Sequence, residues 1–428
     1  MTELVSWKNS LRRKPIIING ARQVGKTWLL KEFGKRHFDN IAYVNFDNNK
    51  AMNQLFEEGY DTARLLTGIQ AESNERIIAG KTLIIFDEIQ ECPKALTSLK
   101  YFNENASEQV IAAAGSLLGL SIHQGTGFPV GKVMTLDLYP LSFREFLDAT
   151  GNQLLRELID NNDLSALTTF SSKFIPLLRQ YYFTGGMPEA VKAFIENGVL
   201  EDARLVQNQI LSDYRRDISK HLTTTETEYT LAAWDSIPVH LGQENRKFIF
   251  GNIKEGARGR DYRAALTWLS EAGLVHQIRR VSKPGIPLAA YANDSTFKLF
   301  ALDVGLLGAM ADLDSSSVIS GNEVFTEFKG ALTEQYVCQQ LISDCKLQPF
   351  YWSAENSRGE IDFLVQDRGQ IYPIEVKAEE NLRSKSLRAF SEKHQNTHPR
   401  RFSLSGFRDE DWMSNIPLYV VGNRDIWQ

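Results

Sequence analysis

Apolar residues in the first third of this chain fall into short unbroken runs. Pro15-Ile16-Ile17-Ile18-Asn19, Ile41–Phe46, Thr82-Leu83-Ile84-Ile85-Phe86, Val110–Ala114 and Val133–Leu138 are the clearest. Runs this short read as strands, and the first suits a buried parallel strand. Between them lie stretches with helical apolar spacing, such as Trp28-Leu29-Leu30-Lys31-Glu32-Phe33, which ends near Gly34. Five strands alternating with helices predict an α/β fold built on a doubly wound parallel sheet. From about Asn152 to Lys220 the spacing is helical, broken by a turn at Gly185-Gly186-Met187-Pro188. A further helix is predicted over Asp261–Glu271, with Tyr262, Leu266 and Leu269 on one stripe and Gly273 just past its end. The strand Leu274–Ile278 follows it and leads into Arg279-Arg280. Near the end of the chain, Gly359–Val365 and Gln370–Lys377 are joined by Asp367-Arg368-Gly369, which predicts a hairpin.

Composition narrows the class. At 428 residues the chain has room for about three domains. With 43% hydrophobic and 24% charged residues it reads as an ordinary soluble protein. No apolar run approaches the roughly 20 residues that span a bilayer. The start, MTELVSWKNSLRRK, lacks the apolar stretch of a signal peptide. A cytoplasmic location without a membrane partner is the expectation. Cys92, Cys338 and Cys345 show neither a disulfide framework nor zinc-site spacing. The net charge of −5 argues against attraction of the whole chain to nucleic acid, but charge is unevenly spread. Between Asn245 and Lys283 stand Arg246, Lys247, Lys254, Arg258, Arg260, Arg263, Arg279, Arg280 and Lys283, against Glu255, Asp261 and Glu271. This basic segment is a candidate contact for nucleic acid.

Residues 20–27, Gly20-Ala21-Arg22-Gln23-Val24-Gly25-Lys26-Thr27, fit G-x-x-x-x-G-K-[ST], and they sit between a strand and a helix as a phosphate-binding loop must. Backbone N–H groups from Gly20 to Trp28 and the helix N-terminus can then surround phosphate oxygens. Lys26 is expected to reach the β- and γ-phosphates and Thr27 to ligate Mg²⁺. The run Thr82–Phe86 ends in Asp87-Glu88, where Asp87 would hold the metal and Glu88 polarise the attacking water. Ser116 follows the run Val110–Ala114, where a hydroxyl can sense the γ-phosphate. No Asn-Lys-x-Asp guanine-reading sequence follows. In the terminal hairpin Asp362 leads off the first strand, Glu375 and Lys377 share one side of the second, and a preceding helix carries Glu334. An Asp…Glu-x-Lys arrangement of this type resembles the restriction-endonuclease-like superfamily. Asp362 and Glu375 would be metal ligands there, Glu334 a supporting ligand, and Lys377 the group that orients water.

GARQVGKT, LIIFDEIQ, GSLLGL, LYPLSFREF, YYFTGGMPEAV and FKLFALDVGLL, in this order, resemble a group of bacterial and archaeal AAA-type ATPases (AAA family 14). In that group the P-loop domain precedes a domain of unknown function, number 4143. The resemblance implies an AAA-like core over 1–151, a helical lid over 152–235, a winged-helix segment over 236–315 and a restriction-endonuclease-like domain over 316–428. It also favours ATP over GTP. A winged helix would set Arg258, Arg260 and Arg263 at the start of a groove-entering helix, with Arg279 and Arg280 in the hairpin. Where the group has Gly-Arg before the strand leading to PLSF, this chain has Gly131-Lys132. Lysine offers a point charge in place of a planar fork, so Arg22, or a residue of another subunit in a homo-oligomer, can serve as the arginine finger. The leading expectation is a Mg²⁺-dependent ATPase, a switch or motor coupled to a C-terminal domain that binds or cuts nucleic acid. The alternative keeps the ATPase and makes that domain a non-catalytic module acting on a protein partner.

Overall fold

The computed structural model describes residues 1–116, 128–320, 326–354, 359–378 and 384–427, the side chains of 320, 326 and 327 excepted. Four segments were expected. The described chain forms two compact units, Met1–Tyr139 with Glu271–Gly273, and Pro140–Ser270 with Leu274–Gln428.

The first unit holds α1 (Thr2–Lys8), β1 (Ile16–Asn19), α2 (Lys26–His37), β2 (Asn40–Asn45), α3 (Lys50–Glu57), α4 (Thr62–Ser73), β3 (Thr82–Asp87), α5 (Pro93–Asn105), β4 (Val110–Ala114) and β5 (Met134–Asp137). Its sheet has the order β2-β3-β4-β1-β5, and every pairing is parallel. The apolar runs of β1, β3 and β4 are explained by two cores, one on each face, whereas β5, at the sheet edge, is largely exposed. Ile17, Ile84, Phe86, Ile111 and Ala113 pack with Phe46, Phe56 and Phe102 on one side. Ile16, Ile18, Leu83, Ile85 and Val110 pack with Trp7, Leu30 and Phe33 on the other. Phe46, Phe56 and Phe86 meet edge to face at 5.4–5.8 Å, and burial of each such ring contributes about 2–3 kcal/mol. Because β4 lies between β1 and β3, the carboxyl ends of these three strands open side by side, where open parallel sheets bind ligands.

The second unit opens with helices: α6 (Phe143–Ala149), α7 (Gln153–Asp160), α8 (Leu164–Thr169), α9 (Ser171–Thr184), α10 (Pro188–Asn197), α11 (Leu200–His221), α12 (Thr224–Asp235) and α13 (Ile237–Leu241). Capping boxes start α6, from Ser142 to Glu145, and α12, from Thr223 to Glu226. Then follow α14 (Gly259–Glu271), β6 (Val275–Val281), β7 (Ala292–Ala301), α15 (Val304–Met310), α16 (Ser315–Ser320), α17 (Thr326–Ser343), β8 (Phe350–Ser353), β9 (Glu360–Asp367), β10 (Gln370–Val376), α18 (Lys385–Lys393), β11 (Arg400–Ser403), β12 (Arg408–Glu410) and β13 (Met413–Pro417). The expected hairpin β9–β10 is present and antiparallel. One mixed sheet, β12-β13-β11-β10-β9-β8-β6-β7, joins it to β6 and β7, so the boundary drawn at 315/316 falls between two parts of one sheet.

Motifs far apart in sequence meet at α17, which buries Gln335, Gln339 and Gln340. Gln340 accepts from the Phe143 N–H at 3.0 Å and Gln339 from the Val304 N–H at 3.0 Å. The buried Asp303 carboxylate accepts from the N–H groups of Gly186 (2.7 Å), Gly305 (2.9 Å) and Leu306 (3.1 Å) and from the Gln339 amide (3.1 Å). The Gly-Gly-Met-Pro turn is thus held by an internal carboxylate.

Candidate functional site

Loop 20–25 leaves the buried end of β1 and turns into α2. Two glycines make that path available. A Cβ on Gly20 would stand 2.5 Å from the Leu138 carbonyl oxygen, and Gly25, with φ +93°, takes the left-handed conformation that starts α2. The N-cap residue Gly25 has no side chain to cap the first turn of α2, and a helix start of this kind suits an anion. Ala21 and Val24 anchor the loop in the core, while Gln23 and Trp28 are exposed and Arg22 is half-buried. The Lys26 ammonium is buried and donates to the carbonyls of Gly20 (3.0 Å) and Ala21 (2.7 Å). Burial lowers its pKa to about 8, although Glu88 and Asp87 oppose the shift.

Asp87 ends β3. Its carboxylate accepts from the Thr27 hydroxyl at 2.9 Å, from the Tyr43 hydroxyl at 2.7 Å and from the Glu88 N–H at 3.2 Å. Thr27 and Asp87, expected to share a metal, are therefore in direct contact. A hard divalent cation takes oxygen ligands of this kind, and a glycine cradle with a buried ammonium and an uncapped helix start fits a nucleotide's phosphates. Glu88 sits at φ +50°, and its carboxylate is held by the Gln90 amide. Ser116, past the end of β4, is buried, and the Gly115 N–H bonds the Ile18 carbonyl, tying that end to β1. Lys132 is paired with Glu104 at 2.8 Å.

Tyr43 and Gln90 were missed by sequence reasoning. Tyr43 lies on β2 beside β3, and Lys31 stands 3.7 Å over its ring. Burial and the bond to Asp87 push the Tyr43 pKa up, so it stays a donor. No spacing rule signals either residue.

In the second unit, α14, β6 and β7 enclose a groove of about 790 Å³ lined by Phe250, Arg260, Arg263, Gln277, Arg279 and Asn293, among others. Arg279 pairs with Asp294 at 2.9 Å and Arg260 with Asp261 at 3.4 Å. Arg258 is exposed. Arg280, expected to join them, is engaged elsewhere: it donates to the Ser353 carbonyl at 2.7 Å. On α11, Arg215 pairs with Asp235, and Arg216 with Asp213 at 3.1 Å.

The four C-terminal candidates are placed as follows. Asp362 accepts from the Val376 N–H at 2.8 Å, and Glu375 pairs with Lys377 at 2.8 Å. Glu334 is buried and pairs with Arg246 at 2.6 Å and Lys298 at 3.6 Å. Among the described residues, no group of three or more His, Cys, Asp or Glu is arranged to hold a metal ion. No helix among the described residues is long and apolar enough to cross a membrane.

Residues 12–147 match the family model of an AAA domain (AAA_14), 175–317 that of a domain of unknown function (DUF8612), and 329–416 that of a domain of unknown function (DUF4143). No curated protein matches the chain. Among solved structures, the chain is similar to the Walker-type ATPase PABY2304 of Pyrococcus abyssi, with 13% identity over 72% of this chain and 95% of that one, at a TM-score of 0.45. Drosophila ORC bound to DNA matches at 12% identity over 73% and 94%, with a TM-score of 0.30. The Thermotoga maritima RuvB Holliday junction branch migration motor matches at 15% identity over 64% and 85%, with a TM-score of 0.29. The chain thus carries an AAA domain of the AAA_14 family over residues 12–147 and the domain of unknown function DUF4143 over residues 329–416, the order expected of the AAA-type P-loop ATPases it resembles.

Proposed function

We propose that this chain is a Mg²⁺-dependent ATP hydrolase whose second unit binds nucleic acid. The observation that carries the reading is the contact of Thr27 with Asp87 at 2.9 Å beside a buried Lys26. In this reading the loop N–H groups take the phosphate oxygens, and Lys26 exchanges its two carbonyl partners for the β- and γ-phosphates. Thr27 and Asp87 would hold Mg²⁺, which would supply charge neutralisation on the phosphates when bound. Glu88, oriented by Gln90, accepts a proton from the attacking water as its oxygen bonds to the γ-phosphorus and the bond to the bridging oxygen breaks. Ser116 reads the γ-phosphate. Catalysis here is positioning and electrostatics more than covalent chemistry.

The nucleic-acid half of the proposal is supported by the groove between α14 and the β6–β7 hairpin. Guanidinium groups of Arg260, Arg263 and Arg279 suit phosphates, and the Gln277 and Asn293 amides suit base edges. The test is the ATPase rate with and without duplex DNA. Stimulation that is lost when Arg263 and Arg279 are replaced supports coupling. A rate indifferent to DNA and RNA moves the second unit to the protein-partner reading.

A further inference from the structure

The acidic cluster at the start of the β9–β10 hairpin already contains its cations. Lys298, on β7, is fully buried, with its ammonium 2.6 Å from the Glu360 carboxylate and 3.6 Å from that of Glu334. Its charge also stands 5.1 Å over the Tyr351 ring on β8. Arg246 comes from the segment between α13 and α14 and meets the other oxygen of Glu334 at 2.6 Å. Its path runs over α17 at Gly330, where a Cβ would lie 2.7 Å from the guanidinium. Lys377 neutralises Glu375 at 2.8 Å, and Asp362 is turned into the Val376 N–H.

Charge counting decides what such a cluster can accept. Three carboxylates (Glu334, Glu360 and Asp362) surround two cations (Arg246 and Lys298). A divalent ion would turn a nearly neutral cluster positive and set two like charges against it where little water screens them. We infer that Lys298 and Arg246 are the standing counter-ions of this cluster, and that it is an ion-pair joint tying β7, α17 and β9 together in place of a divalent-metal nuclease centre. The second unit then engages its partner without cleaving it, a statement that holds whether or not the first unit hydrolyses ATP.

The probe is Mn²⁺, followed by electron paramagnetic resonance on nucleotide-free full-length Asp87→Asn protein, in which the P-loop acid is silenced. The expected result is no saturable Mn²⁺ binding. Lys298→Met should lower the second unit's Tm by roughly 10 °C, because carboxylates lose a buried partner, and should gain saturable Mn²⁺ binding that restores part of that loss. If Lys298→Met does not fold, the Mn²⁺ titration of the Asp87→Asn protein decides alone. Saturable binding there that Glu375→Gln abolishes overturns the inference. So does Mn²⁺-dependent DNA cleavage that Asp362→Asn abolishes, or a Lys298→Met protein with the wild-type Tm.

Discussion

Asp303→Ala removes one carboxylate and strands four donors. The N–H groups of Gly186, Gly305 and Leu306 and the Gln339 amide all end on it at 2.7–3.1 Å. A buried donor left without an acceptor costs about 1–3 kcal/mol. A plain sum over the four donors, about 4–12 kcal/mol, overstates the loss, since the turn relaxes and partial pairing returns, and losses above ~4–5 kcal/mol are exceptional for single substitutions. Burial raises the Asp303 pKa, so removing the charge also relieves a desolvation cost. The expected net loss is about 4 kcal/mol. At roughly 2–4 °C per kcal/mol for a large domain, Tm falls by about 8–16 °C. Asp303→Asn keeps one acceptor oxygen and should lose about half as much. The assay is differential scanning calorimetry with and without ATP and Mg²⁺, following the transition that ATP leaves in place. A shift below about 2 °C for the alanine variant would show that these four bonds do not organise the unit, and would refute the reasoning.

Three further outcomes are expected. Tyr43→Phe deletes a donor to Asp87 and should raise the Mg²⁺ concentration for half-maximal ATPase about five- to tenfold, or ~1–1.4 kcal/mol; an unchanged Mg²⁺ titration sinks the role assigned to Tyr43. Lys26 has its pKa lowered to about 8 by burial, so its charged form is present below that pH and lost above it. ATP affinity should hold below about pH 8 and weaken above it, by at most tenfold per unit, with no break in Lys26→Arg; equal affinity on both sides of pH 8 contradicts this. Replacing Arg260, Arg263 and Arg279 by alanine should flatten the salt dependence of duplex binding by about 2.7 in log–log slope, at roughly 0.9 per phosphate. Arg280→Ala should leave the slope alone, because its guanidinium is engaged by the Ser353 carbonyl.

How much of this was legible in the sequence depended on how local each signal is. The P-loop was readable because strand, glycine turn and helix start are consecutive, and Asp87-Glu88 because a buried strand run ends there. The β9–β10 hairpin was readable from its turn, and so was the common side of Glu375 and Lys377. Tyr43 and Gln90 were not, because one belongs to the neighbouring strand and the other to a buried turn whose direction depends on Glu88 at positive φ. The counter-ions of Glu334 were also hidden. Lys298 sits between the apolar residues Phe297 and Leu299 and Arg246 in a basic segment, and both reach Glu334 only through tertiary packing. For the same reason, the run Leu274–Ile278 identified the strand at β6 but not its pairing with β8 in the larger sheet.

The central claim is that residues 20–27 with Asp87 and Glu88 bind and hydrolyse ATP. Its most direct test is to measure ATP binding and single-turnover hydrolysis side by side in wild type, Lys26→Ala and Glu88→Gln. The account predicts Mg²⁺-dependent turnover in wild type, loss of binding or turnover in Lys26→Ala, and a Glu88→Gln protein that binds ATP as wild type does but hydrolyses it at least about 100-fold more slowly. Wild-type turnover in both variants, or no nucleotide binding by the wild-type chain, would contradict it.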